Sequence, residues 1–137
     1  MKQQYEIVYP DARKGENEPS GGYVEVHILH NEQELQLNLE TAILFAKIGY
    51  RIRLLAVDFT PGRRYADALF IKESIQVEFK HNQKPTSSAI DNELRDAKKQ
   101  AAHVVLHIRS PIRKGHLLKA IKSRIKLAPN IQTLWLI

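Results

Sequence analysis

Hydrophobic and polar positions change period several times along this 137-residue chain, and each change marks an element. Residues 65–80, YADALFIKESIQVEFK, read as two strands, Ala66–Ile71 and Ile75–Lys80. The polar turn Lys72-Glu73-Ser74 joins them. Side chains alternate faces along a strand, so Gln76, Glu78 and Lys80 share one face while Val77 and Phe79 share the other. Asp67 opens the first strand, and a hairpin would carry its carboxylate towards the Glu78–Lys80 face.

Upstream, Glu32–Ile48 has too many apolar residues for a thin stripe: Leu35, Leu37, Leu39, Ala42, Ile43, Phe45 and Ala46 predict a substantially buried helix. Asn31 is its expected N-cap and Gly49 its stop. Arg51–Val57 follows as a strand, and Asp58–Arg64 as a loop holding Pro61-Gly62. Before the helix, Tyr5–Tyr9 reads as a short edge strand and a partner for Tyr23–Leu29. Pro10, Gly15, Pro19 and Gly21-Gly22 make the rest of residues 1–22 an irregular N-terminal arm. His27 and His30 read as surface residues.

Downstream, a polar loop at His81–Thr86 precedes a helix at Ser88–Ala102. Ser88-x-x-Asp91 resembles a capping box, and Ala89, Ile90, Leu94, Ala97 and Ala101 form the buried side. His103–Arg109 is a β-branched strand and Ser110–Gly115 a loop. His116–Leu127 is a helix burying Leu117, Ala120, Ile121 and Ile125. Pro129-Asn130 turns the chain into a last strand at Ile131–Ile137. Strand–helix–strand units imply parallel pairs with right-handed crossovers, whereas the tight Lys72–Ser74 turn requires an antiparallel pair. The expected fold is α/β: one domain over residues 1–137, with a mixed β-sheet and helices on both faces, of core order αβββαβαβ.

Composition narrows the partners. The chain is 43% hydrophobic, enough for a core, and has no apolar run long enough to span a membrane and no leader pattern. It has no cysteine, which removes disulfides and thiolate metal sites and suits a reducing compartment. Formal charge is +6, and the excess falls in the second half, at Lys98, Lys99, Arg109, Arg113, Lys114, Lys119, Lys122, Arg124 and Lys126. Such a sector favours polyanions, nucleic acid above all.

The candidate chemistry sits on the central hairpin. Two carboxylates and a lysine at one sheet edge form a minimal site for a divalent cation and a polarised water. Hard cations take oxygen ligands, often one or two carboxylates plus substrate phosphate. A lysine there can orient the water or offset charge on phosphate in the transition state. Glu40 is a carboxylate set into an apolar helix, with Glu34 as its rival, and Gln100 is a polar residue next to alanine. Ser88 and Thr86 could touch a phosphate at a helix start, where backbone N–H groups point outward.

The order of elements, with Asp67 and Glu78-x-Lys80 on the hairpin, resembles the PD-(D/E)xK nuclease core, with Ala66 where that motif usually has proline. More narrowly the chain is similar to C-terminal nuclease domains of contact-dependent growth-inhibition toxins, some of which cut tRNA. The residues carrying this are Glu40-Thr41-Ala42-x-x-x-Ala46-x-x-Gly49-Tyr50, Leu54-Leu55, Ala66-Asp67, Glu78-x-Lys80, Ser88-x-Ile90 and Ala97-Lys98-Lys99-Gln100-Ala101. They span roughly residues 32–137 through short motifs whose order carries the weight.

The resemblance implies a metal-dependent endonuclease of toxin type, with Asp67 and Glu78 as ligands of a divalent metal such as Mg2+ and Lys80 as catalytic lysine. Glu40 would be the helix carboxylate of the site, and Gln100 would face it. Ser88, Lys98, Lys99, Arg113 and Lys114 would meet RNA or DNA. It also implies action in a cytoplasm, the protein's own or a target cell's, and an acidic immunity protein as a second partner. Two other readings stand beside it. One is a metal-independent ribonuclease using His81, His103 or His107 as acid and base. The other is a non-catalytic nucleic-acid- or partner-binding domain.

Overall fold

The computed structural model describes residues 4–57, 65–127 and 130–137. Contacts divide the chain into two compact units, residues 1–76 and 77–137. Among the described residues there are seven strands and three α-helices, paired in both senses, so the protein is α/β with mixed β-structure.

The first unit holds β1 (Tyr5–Tyr9), β2 (Tyr23–His27), α1 (Leu35–Ala46), β3 (Arg51–Leu54) and β4 (Ala68–Phe70). β1 pairs antiparallel with β2, β2 parallel with β3, and β3 antiparallel with β4. The pairing expected between the Tyr5–Tyr9 strand and the next one is therefore present. β2 and β3 are parallel because the α1 crossover lies between them, and α1 packs on both. Phe45 from α1, Tyr50 and Phe70 meet in an aromatic triangle, with ring centroids 5.3–5.4 Å apart. The loop expected at Asp58–Arg64 lies outside the described residues.

Three local readings need correction here. α1 starts at Leu35, not Glu32, because residues 32–34 form a turn; the Asn31 carboxamide accepts from the Gln33 amide at 3.0 Å. The buried face of α1 is Asn38, Thr41, Ala42, Phe45 and Ala46, so two polar residues face inward while Leu44 is 47% exposed. His30, expected at the surface, is buried: its Nδ1 lies 2.6 Å from the Leu55 carbonyl and its Nε2 3.0 Å from the Asn38 carboxamide nitrogen. The ring thus donates from Nδ1 and accepts at Nε2, and Asn38 is inside because it completes this pair. Gly49 stops the helix as expected, with φ +102° and its N–H on the Ala46 carbonyl.

The second unit begins within β5 (Ile75–Asn82) and continues with α2 (Ser87–Ala97), β6 (His103–Ile108), α3 (Lys114–Leu127) and β7 (Thr133–Leu136). β5, β6 and β7 are parallel and adjacent in sequence order. Consecutive right-handed crossovers in one direction place both helices on one face. Accordingly Ile90, Leu94 and Ala97 of α2 and Ala120 of α3 share a core with Val104 and Leu106.

Residues 98–100 leave the helix as a turn, so α2 ends at Ala97 and not Ala102. The N-cap is Thr86, whose hydroxyl accepts from the Ala89 amide at 3.2 Å; Ser88 is exposed within the first turn. The capping box does not form, since Ser88 lies inside the helix, and Asp91 has another partner. It forms a two-pronged pair with Arg124 of α3, Nε to Oδ1 at 2.7 Å and a terminal nitrogen to Oδ2 at 2.8 Å. Ile125, expected in the core, is 44% exposed, because Arg124 occupies the inner side of that turn.

The Arg124 guanidinium holds the Asp91 carboxyl below the usual carboxylate range. A depressed folded-state value means the pair stabilises above the unfolded pKa and is lost as pH falls through the folded one. Asp91→Asn should therefore melt below the wild-type protein at about pH 7, and the two should converge near about pH 2. Thermal melts at both values check this; coincident melts at pH 7 would mean the pair adds nothing.

Candidate active site on strand β5

β5 is buried on both faces. Val77 and Phe79 fill one side and Glu78, with 7% exposure, lies on the other. Its neighbour β6 is likewise closed on both sides at Val104, Val105 and Leu106. A strand of this kind is usually a continuous apolar run. Here the polar residues Glu78, Lys80 and Asn82 replace alternate positions on the face they share.

Glu78 Oε2 lies 3.6 Å from Lys80 Nζ, and the lysine side chain is 25% exposed. Asn82 is fully buried. Its Nδ2 donates to the Lys84 carbonyl at 2.9 Å and faces both Glu93 oxygens at 3.3 and 3.4 Å, while its Oδ1 accepts from the Ser110 hydroxyl. Glu93 stands on α2. Burial pushes its carboxyl above the usual range, against the pull of the Asn82 carboxamide and the Lys80 charge. Sequence reasoning passed over Glu93. The signal was present: Ile90, Glu93, Leu94 and Ala97 form an i, i+3, i+4, i+7 stripe with a carboxylate in an inward position.

The other expected site residues fall as follows. Gln100 is half-buried in the turn after α2, its amide on the Ala97 carbonyl. In the first unit, Asp67 is 6% exposed, just before β4, and its carbonyl accepts from the Leu55 amide at 2.9 Å. Glu40 is exposed on α1 and accepts from the Gln36 carboxamide at 3.2 Å. Glu34 is the residue preceding α1 and makes no side-chain cap.

The expected substrate contacts form two groups. Lys98 and Lys99 follow the C-terminal end of α2, and the Lys99 ammonium is 3.9 Å from the Asp96 carboxylate. Ser88 is near the other end, about 15 Å away along the helix axis. There the Ser87 hydroxyl donates to the His116 carbonyl at 3.3 Å, and a cleft of about 430 Å³ is lined by Ser88, His116, Lys119 and Ser123 among others. Arg113 and Lys114 are exposed at the start of α3.

The histidines occupy the opposite face of β5 and β6. His81 and His107 are in register with ring centroids 6.1 Å apart, and Arg109 Nε donates to His81 Nδ1 at 3.2 Å. His103 is four residues from His107, about 13 Å along the strand, and its Nδ1 is 2.9 Å from the Thr133 hydroxyl. His81 thus uses one ring nitrogen as an acceptor, and Lys80 beside it in sequence points the other way.

Among the described residues, no group of three or more His, Asp or Glu side chains is placed to hold a metal ion. Asp67, in the first unit, and Glu78, in the second, are the carboxylates expected to take one, and both are buried. Carboxylate oxygens are the right donor type for a hard cation, and in Glu78 one of them lies near the Lys80 ammonium. Charge is unevenly divided: residues 77–137 carry 12 Lys and Arg against 4 Asp and Glu, whereas residues 1–76 carry 9 against 11.

Among the described residues, no helix is long and apolar enough to cross a membrane. Comparison with family models, curated proteins and solved structures finds no match to this chain.

Proposed function

We propose that this protein is a nuclease that hydrolyses phosphodiester bonds, on a core of the restriction-endonuclease-like type. The observation that carries the reading is the Glu78–Lys80 pair: a buried carboxylate and a partly exposed amine 3.6 Å apart on a strand closed on both faces. Burying a carboxylate costs free energy unless it is paired, and an apolar residue at position 78 would pack on such a strand at no such cost. The strongly basic composition of residues 77–137 supports a polyanionic substrate.

In this reading Lys80 offsets negative charge that builds on the phosphate in the transition state. Glu78 holds the ammonium and offers carboxylate oxygen to a divalent cation. Such a cation, when bound, would polarise the phosphate and make a bound water easier to deprotonate. Glu40, Asp67 and Gln100 remain the further candidates that the resemblance names. The same resemblance names a toxin-type enzyme cutting tRNA or other RNA, with a partner protein that neutralises it.

Incubation with plasmid DNA and with total RNA, with and without Mg2+, tests the activity. Cleavage that needs Mg2+ and disappears with Lys80→Ala is the expected result. Cleavage that survives chelation would instead favour acid–base chemistry at the histidines.

Binding gives a separate prediction. Phosphate neutralisation releases counterions, so affinity should fall steeply with salt. Lys98→Glu with Lys99→Glu should weaken binding and flatten the slope by about 1 for each phosphate no longer neutralised. Filter binding across a salt series reads both quantities, and no binding at low salt would end the nucleic-acid reading.

A further inference from the structure

β7 lies at the end of the strand order, and among the described residues its one strand partner is β6. The Ile137 amide donates to the Leu106 carbonyl at 3.2 Å, and the Ile137 carbonyl accepts from the Ile108 amide at 2.8 Å. The Thr133 amide likewise donates to the Ala102 carbonyl at 3.2 Å. Backbone groups alternate sides along a strand, so the odd positions of β7 face β6. The N–H and C=O groups of Leu134 and Leu136 therefore face outward. Residues 132–137 contain no charge and no proline, two of the devices that normally blunt such an edge.

α3 overhangs this edge. Its residues His116, Lys119 and Ser123 turn towards α2, since they line a cleft with Ser87, Ser88 and Asp91. At about 3.6 residues per turn, Leu118 and Ile125 lie on the side of α3 away from α2. Both are exposed. α3 crosses from β6 to β7 on the same face as α2, so that side looks out past β7. Leu134 packs against the core under the helices, which puts the exposed Leu136, two residues on, on the same face. An outward backbone ladder and an apolar helix side thus point the same way.

A two-fold axis at the edge matches both features to themselves. An antiparallel copy with Trp135 opposite Trp135 sets Leu134 against Leu136 and Leu136 against Leu134. Each is a hydrogen-bonded pair, whose members exchange both N–H···O bonds. Strands lie about 4.8 Å apart, so a helix centred over β6 and β7 is about 5 Å from that axis. Its mate is then about 10 Å away, a distance at which helices pack. The two α3 helices run antiparallel there, apolar side against apolar side. We propose that this face pairs with a second copy of the same chain, joining two β7 strands in one continuous ladder. Lys119, Lys122 and Lys126 are exposed on α3, so the pairing forms against charge repulsion. It is independent of the nuclease reading.

Sedimentation of the full chain over a concentration series tests the pairing. A reversible monomer–dimer equilibrium is expected, tightening as salt rises from about 50 to about 500 mM, because salt screens the lysines. Leu136→Pro removes one outward N–H at an edge position, where proline is tolerated, and should be monomeric. Ile125→Glu should weaken the dimer about tenfold or more, the scale for losing one buried aliphatic side chain. Leu44→Glu, at an exposed apolar position on α1, is the control and should leave the dimer unchanged. Circular dichroism checks the fold of each variant, and Ile125→Glu decides alone if Leu136→Pro does not fold. A monomer at every concentration and salt would overturn the proposal. So would a dimer that either folded variant keeps at wild-type strength. A dimer that dissolves with added salt would also overturn it, by marking an ionic contact in its place.

Discussion

Glu78→Gln should abolish cleavage while leaving the melting temperature unchanged or higher. The carboxylate is 7% exposed, and the Lys80 amine that offsets its charge lies 3.6 Å away. Breaking a buried ion pair by deleting one partner commonly costs about 3–5 kcal/mol, because the other charge is stranded. Here the charge left behind is that of Lys80, which is 25% exposed and can turn its ammonium to water. The neutral amide also removes the desolvation cost of the carboxylate. The activity effect should be about a thousandfold or more, the scale for removing a group that stabilises charge in the transition state. Activity assays and thermal melts on the same preparation check both halves. A clear loss of folding would mark Glu78 as a structural ion-pair residue and remove it from the site.

The second large effect is expected in the first unit, at the start of β2. Gly22 precedes β2, and a Cβ built there would sit 1.8 Å from the Ala46 carbonyl oxygen and 2.7 Å from its carbon. Those atoms are backbone at the end of α1, so no side chain can swing aside. The Gly22 amide lies 3.2 Å from the Ser20 hydroxyl, and Ser20 also donates to the Ala46 carbonyl at 3.0 Å. Gly22→Ala must therefore push α1 away from the start of β2. The cost should be at least about 3 kcal/mol, the upper part of the range for overpacking. Urea denaturation measures it, and a loss below about 1 kcal/mol would show that the helix end yields easily. Gly115→Ala, within α3, is the control, since a Cβ there meets nothing within 4 Å.

The sequence revealed most elements because their periods were clean. The Val104–Leu106 run, the Ala–Leu spacing of α2 and the stop at Gly49 each had one local cause, and each element is present. Helix ends were harder. Thr86 and Ser88 are both good caps; Thr86 takes the position through the Ala89 amide, and Asp91 pairs with Arg124, 33 residues away. His30 looked like a surface residue because alone it would be costly to bury; its contacts with Asn38 and the Leu55 carbonyl remove that cost. Around Lys80, the sequence made the lysine and Glu78 visible through strand alternation. Glu93 was legible as a carboxylate on the Ile90–Leu94–Ala97 side of α2, whereas its partner Asn82 is set by packing.

The row of parallel strands ending at β7 has a consequence for handling the protein. Residues 132–137, QTLWLI, contain no charge, no proline and no glycine, and Leu136 and Ile137 are 42% and 38% exposed. A six-residue stretch of this composition is the kind that stacks with copies of itself when it comes loose. Gatekeeping comes from the bases upstream on α3, Lys122, Arg124 and Lys126. Turbidity on storage should therefore track fraying of this one strand and grow with added salt, which screens the lysines that keep molecules apart.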